Sequence, residues 1–338
     1  MKKIINFICI LAVLSFFMAM PAQTNAVSKS DVHATAVDSA GNGIYTIYVE
    51  NGTPDYGTYT IATGASHPAT IAAGTPQSIL FGGSAGNPWS TYLTVRSYTT
   101  DTEYTSAEGI SPSPGYTQVD LDTYAGAVTT LPGSITSTWT VNTRNDAFSI
   151  SQTVAVEGTT IDDSRVRVTT TIANDSQPTA AIEFGIRYEW DIMIDGEDGS
   201  YAKTVDPYSS WFSTETETST INMQQYQLVN DPANAVFYVN GSVLGPAFSP
   251  APTAPTKLQF VDWGSVASEA FDYTPTGQTI AGPGEDSAVT YFWGDTENNA
   301  ITLGDGQSTS VTQYLFAPMA ESNPSAAAVA VLPQTGSE

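Results

Sequence analysis

Cysteine is almost missing from this 338-residue chain: the single one, Cys9, sits in an apolar run near the N-terminus. Disulfides, thiolate catalysis and cysteine-held metals are therefore excluded from everything after that run. Histidine is nearly as scarce. His33 and His67 are the whole complement, too few for a histidine zinc site. A Ser-His-Asp triad would have to use His67, and no Gly-x-Ser-x-Gly elbow accompanies it; in Ser66-His67-Pro68 it reads as a surface-loop histidine. Cations are short too, with ten Lys and Arg against 34 Asp and Glu. With Lys2 and Lys3 set aside, the remainder carries a net charge of −26. Such a surface repels nucleic acid and anionic lipid, which excludes both as partners, while it suits divalent cations. Beyond residue 20 no apolar run reaches the ~18 residues of a spanning helix. No amphipathic helix and no repeat of fixed period is present, which excludes solenoids and propellers. Gly82-Gly83-Ser84-Ala85-Gly86 is glycine-rich, but no Lys-Ser/Thr follows it, so it is a loop and not a phosphate cradle.

What is present begins at the two ends. Lys2 and Lys3 precede an apolar stretch from Ile4 to Met20, and small residues at Thr24-Asn25-Ala26 close it. Charged start, apolar middle and small-residue exit predict a secretory signal peptide over 1–26. At the other end, Leu332-Pro333-Gln334-Thr335-Gly336 follows a stretch rich in Ala, Pro and Ser. This pentapeptide resembles the LPxTG motif of sortase-substrate cell-surface proteins. The resemblance implies cleavage between Thr335 and Gly336, sortase as a partner, and attachment to an envelope amine. The family's motif is followed by an apolar segment and a basic tail, whereas only Ser337 and Glu338 follow here. The expectation is an exported cell-surface protein whose natural C-terminus extends further.

Between the ends, 41% hydrophobic residues supply a core, and 13% charged residues with abundant Thr, Ser, Gly and Tyr point to an extracellular β protein. Short alternating runs separated by Gly, Pro, Asn and Asp clusters predict an all-β, antiparallel body over 27–319. One large β-sandwich is the preferred architecture; two smaller sandwiches divided at 125–133 are the alternative. In size and strand density the body resembles the supersandwich of galactose-mutarotase-like and polysaccharide-lyase-like proteins, a resemblance that transfers no catalytic residue.

The sharpest internal pattern covers 165–195. Ile182, Phe184, Ile186, Tyr188, Trp190 and Ile192 alternate with Glu183, Gly185, Arg187, Glu189 and Asp191. Period two sends the first set to the core and the second to an open face. Val166, Val168, Thr170 and Ile172 alternate likewise with Arg165, Arg167, Thr169 and Thr171. A turn at 174–178 would pair the two runs as a hairpin, with Arg165 or Arg167 near Glu189. That face is either a solvated surface of cross-strand ion pairs or a polar floor for a sugar. In the second case Arg187→Ala and Glu189→Ala weaken glycan retention and leave the fold intact. Glu189 and Asp191, about 7 Å apart at ~3.4 Å rise per residue, also offer a carboxylate pair for glycoside hydrolysis.

Asp195, Glu197 and Asp198 lie in an acidic turn with Gly196 and Gly199. Hard carboxylate oxygens of this kind suit calcium, although the order is not that of an EF-hand. No cofactor is required; calcium is the one the sequence suggests. Among 17 Tyr, 13 Phe and 6 Trp, Trp89 and Trp211 stand beside Pro and Gly and are read as exposed contacts for a sugar ring. Asn51, Asn174 and Asn240 match the glycosylation acceptor pattern. The function expected is a structural or ligand-binding surface module, with carbohydrate the leading ligand class and envelope components the other partners. The alternative is a secreted carbohydrate-active enzyme using the 165–195 carboxylates.

Overall fold

Ile135, Ser137, Trp139 and Val141 are buried while Ser134, Thr136, Thr138 and Thr140 face outward, and only an extended strand separates two alternating sets in this way. The same logic repeats along the chain. The computed structural model describes residues 36–70, 74–175, 181–205, 208–218 and 222–319. The expected signal segment and the 332–336 motif lie outside the described residues.

The first seven strands are β1 (Val37–Gly41), β2 (Tyr45–Glu50), β3 (Tyr59–Thr63), β4 (Tyr92–Ser97), β5 (Thr102–Thr105), β6 (Thr117–Asp120) and β7 (Ala125–Leu131). Then come β8 (Ser134–Asn142), β9 (Ala147–Glu157), β10 (Arg165–Asn174), β11 (Ile182–Ile192), β12 (Tyr201–Thr204), β13 (Thr216–Thr218) and β14 (Gln225–Val229). β15 (Val239–Ser242), β16 (Lys257–Asp262), a single-turn helix α1 (Trp263–Val266), β17 (Ser287–Trp293), β18 (Ile301–Leu303) and β19 (Ser308–Phe316) complete the order. α1 begins under an N-cap at Asp262, whose side chain accepts from the Ser265 amide. It is too short to cross a membrane.

Two large sheets form the sandwich. One runs β12-β14-β15-β19-β10-β9-β8-β7, and the other runs β13-β16-β17-β11-β4-β5-β6 with β18 beside β11. Among the described residues only β5 and β6 pair in parallel; every other strand pairing is antiparallel. The fold is the all-β sandwich that the alternation predicts. The segment at 125–133, where the sequence allows a division, is β7 and its turn, paired to β8 in the same sheet.

The expected hairpin is absent. β10 pairs with β9 and β19, while β11 pairs with β4, β17 and β18 in the opposite sheet. The two strands face each other across the core, where the Thr170 hydroxyl meets the Tyr188 hydroxyl. The physical reason lies in their apolar faces. Val166, Val168 and Ile172 cover one inner wall, Phe184, Ile186 and Trp190 the other, and all belong to one buried cluster. Stacking the two faces buries more apolar surface than placing the strands edge to edge.

β1, β2 and β3 form a third, small sheet that closes one end of this core. The Trp190 indole donates to the Tyr59 hydroxyl (2.5 Å), and Gln152 donates to the Gly57 carbonyl (2.7 Å). Gly57 has φ +83°, and a Cβ there would lie 2.2 Å from the Trp139 ring. Only glycine satisfies both demands.

His67 belongs to this end as well, and it is buried, not a surface-loop residue. Its Nδ1 accepts from the Ala69 amide (3.0 Å), so Nε2 carries the hydrogen and donates to the Ala317 carbonyl (2.8 Å). The Ala317 amide in turn donates to the Tyr45 hydroxyl (2.7 Å). Neutral imidazole thus latches the end of β19 to the small β1–β3 sheet, and burial lowers its pKa below the usual value. An imidazole that resists protonation only when folded contributes stability above about pH 6.5, and loses it as pH falls and the unfolded chain takes up the proton. The gap in melting temperature between the wild type and His67→Gln should therefore narrow from pH 8 to pH 5, measured by thermal denaturation. A constant gap would show that the ring's titration contributes nothing.

Candidate functional site

The second residue set of β11 is where the sequence places an open polar floor. Glu183 alone among its charged members is exposed; Arg187, Glu189 and Asp191 are fully buried. Their strand face is roofed by α1 with the residues after it and by the segment following β5. Trp89, Tyr92, Ile110, Trp263, Val266 and Ala270 join there in a second apolar cluster. Polar anchors hold this roof down. Arg187 donates to the carbonyls of Val266 (3.0 Å) and Glu269 and pairs with Glu189. Glu189 also accepts from the Tyr92 hydroxyl (2.6 Å). Burial pushes the Glu189 carboxyl up to about 7, against the pull of Arg187 and Tyr92.

Arg96 plays the same part nearby. It pairs with buried Glu103 (2.5 Å) and with Asp272 of the roof (2.8 Å), and it lies against the rings of Tyr116 (4.0 Å) and Phe271 (4.1 Å). The amides of Ser113 and Asp272 complete the seam by donating to Glu103 and to the Ser113 hydroxyl. The open-floor expectation for Arg187, Glu189 and Asp191 is thus corrected, and so is the expectation that Arg187→Ala leaves the fold intact.

Arg165 and Arg167 do not meet Glu189. They lie on the outer face of the opposite sheet, where both pair with Glu157 (2.9 and 2.6 Å). The β9–β10 register explains the choice, since Arg165 sits directly across from Glu157.

The acidic turn is split by its own geometry. Asp195 (φ +54°) and Gly196 (φ +82°) reverse the chain between Ile194 and Glu197, which bond to each other. Asp195 and Glu197 point to solvent, while Asp198 turns inward. It arrives beside Asp191 and Asp286, and one carboxylate oxygen from each lies within 4.8 Å of the others. Of the predicted set, the structure brings only Asp198 into a cluster. Asp286 stands 88 residues further on, beside Glu285, and nothing in its own stretch points to Asp191 or Asp198.

The two tryptophans have different fates. Trp89 is buried, not exposed, and packs edge-on against Trp263 at 5.5 Å. It borders a small pocket of about 160 Å³ with Asp55, Tyr92, Glu108 and Ile110. Trp211 is half-buried and lies nearly parallel to Tyr238 (24°, centroids 6.1 Å apart). Over its face sits the Lys203 ammonium at 4.3 Å, with the Tyr208 and Tyr238 rings at 5.2 and 5.8 Å. Tyr208 is 71% exposed. Desolvation by partial burial lowers the Lys203 pKa, and among the described residues Lys203 forms no ion pair.

Pairing extends this patch. Lys203 on β12 is in register with Gln227 on β14, and Gln227 with Asn240 on β15; the Gln227 amide donates to the Asn240 side chain (2.9 Å). An ammonium and two amides thus form a row across three strands, beside three rings. With Pro318 and Met319, the side chains of Lys203, Gln227 and Tyr238 line a groove of about 320 Å³. Lys203 and Tyr238 were missed in the sequence, because each is ordinary until strand pairing brings it to Trp211. Asn174 and Asn240 are buried, which leaves Asn51 as the exposed member of the glycosylation pattern.

No family model matches the chain, and no curated protein matches it either. Among solved structures, a galactose mutarotase-like protein from Lactobacillus casei is 10% identical, with a TM-score of 0.48 over 83% of this chain and 100% of that one. An aldose epimerase homologue from C. elegans is 8% identical, with a TM-score of 0.47 over 85% and 100%. A galactose mutarotase related enzyme from Lactobacillus acidophilus is 10% identical, with a TM-score of 0.46 over 83% and 97%. At these values the likeness carries no residue and no reaction over to this chain.

The roof anchors differ in weight from the surface pair. Arg187→Ala leaves the Glu189 carboxylate buried without its cation and should cost about 3–5 kcal/mol. Arg165→Ala removes a partly exposed partner and should cost about 0.2–1 kcal/mol. Urea denaturation of both variants measures the contrast; equal losses would mean that the roof does not depend on Arg187.

Proposed function

We propose that this chain is an exported cell-surface module that binds carbohydrate at the corner of the sandwich built by β12, β14 and β15. The observation that carries this reading is the pair Lys203 and Gln227, with Gln227 held by buried Asn240, beside the rings of Tyr208, Trp211 and Tyr238. Aromatic faces take the apolar face of a pyranose ring, while ammonium and amide groups bond to its hydroxyls. Size favours the groove over the Trp89 pocket. The groove, about 320 Å³, falls within the ~300–1,000 Å³ usual for ligand sites, whereas the Trp89 pocket, about 160 Å³, falls below it.

Export and surface display are supported by the signal-like 1–26 segment and by Leu332-Pro333-Gln334-Thr335-Gly336, with sortase the partner that the motif implies. The buried positions of Glu189 and Asp191 favour binding over glycoside hydrolysis at the β11 face, because a polymer in solution does not reach them.

A glycan array probed with the full chain tests the reading. Hits should weaken by about 30-fold in Trp211→Ala, the scale of an aromatic hot spot worth ~2 kcal/mol. Tyr208→Ala, at an exposed ring, should weaken them less and leave melting unchanged. A blank array, or hits retained by both variants, would remove the proposal.

A further inference from the structure

Asp191, Asp198 and Asp286 come from three separate places: the end of β11, the turn that follows it, and the approach to β17. The backbone fixes their meeting. The Asp198 carbonyl accepts from both the amide (3.0 Å) and the hydroxyl (2.7 Å) of Ser287, the residue after Asp286. Their convergence is therefore built into the loop pairing.

A second observation concerns Glu189, two residues before Asp191 on the same strand face. It is fully buried, and its Oε2 takes the bonds from Tyr92 and Arg187. Its Oε1 has no hydrogen-bond partner, a costly state for a buried carboxylate oxygen. Glu189 and Asp191 project from the same face of β11, so the bare oxygen lies on the side of the strand where the three aspartates meet.

We propose that Asp191, Asp198 and Asp286 bind a calcium-sized divalent cation, with Glu189 closing the inner side. Calcium–oxygen distances of about 2.3–2.6 Å put opposite ligands about 4.6–5.2 Å apart. The aspartate oxygens, within 4.8 Å of one another, suit that shell. Magnesium, with ligands at about 2.0–2.1 Å and strict octahedral demands, keeps several of its waters and is usually held by one or two carboxylates, so a three-aspartate set favours calcium. Asp198 and Asp286 are only partly buried, which leaves a path from solvent and room for water to complete the shell. Bound there, the ion joins the β11 end to the two loops beside it. This inference does not rest on the glycan reading.

Thermal melting of the full chain after EDTA treatment tests it. Calcium at 5 mM should raise the melting temperature by about 3 °C or more, and magnesium at equal concentration by less than half of that. Asp198→Asn and Asp286→Asn should each abolish the calcium shift while melting cooperatively, and Glu189→Gln should reduce it. Isothermal titration of the wild type should give one calcium per chain, a reading independent of how the variants fold. No calcium shift, an equal magnesium shift, an undiminished shift in both aspartate variants, or no saturable site by titration would each overturn the assignment.

Discussion

Two guanidinium groups buried under a loop roof set the terms for one half of this molecule. Arg187 reaches upward to carbonyls of the roof and sideways to Glu189; Arg96 joins Glu103 beneath to Asp272 above. Both charges are out of water, where an ion pair persists only if its remaining donors and acceptors are also satisfied. The roof carbonyls do part of that work, so strand and roof stabilise each other. The same arrangement seats Tyr92 and Asp191, and through them the small tryptophan pocket and the carboxylate cluster. A chain with so few cations places two of them where no solvent reaches.

The opposite sheet is finished differently. Its outer face carries hydroxyl rows across neighbouring strands, with Thr136 bonded to Thr153 (2.8 Å), Thr169 to Thr312 (3.1 Å) and Thr171 to Ser310 (2.7 Å). Threonine pairs of this kind satisfy each other and still face water. One sheet is thus buried on both sides and the other on one side only, and the groove beside Lys203 and Tyr238 lies on the singly buried one.

This asymmetry explains what could be read from the sequence. Alternation gave the core faces of β10 and β11 correctly, because in both runs apolar residues recur at every second position and line the space between the sheets. It could not say what covers the other face. Thr169 and Thr171 look toward solvent while Arg187 and Glu189 look into a second core, yet both sets alternate with apolar residues in the same way. Pairing was also illegible. β10 and β11 follow each other after a short connection, which suggests a hairpin, but the partners of β11 lie about ninety residues earlier, in β4, and a hundred later, in β17. The site residues divide along that line. Trp211 and Asp198 were found by their local surroundings; Lys203, Tyr238 and Asp286 acquire meaning only from the strands and loops they meet.

The last two described residues, Pro318 and Met319, are walls of the groove that Lys203 and Tyr238 also line. Pro318 accepts from the Tyr238 amide (3.0 Å), and Met319 bridges to Phe237. A pull applied to the chain beyond Met319 is delivered first to this corner. If the groove grips its ligand while the following chain is held, the load runs between two neighbouring points and bypasses the sandwich. Tension then acts on the grip before it acts on the fold, and the hydrogen-bonded strands behind are left mechanically idle.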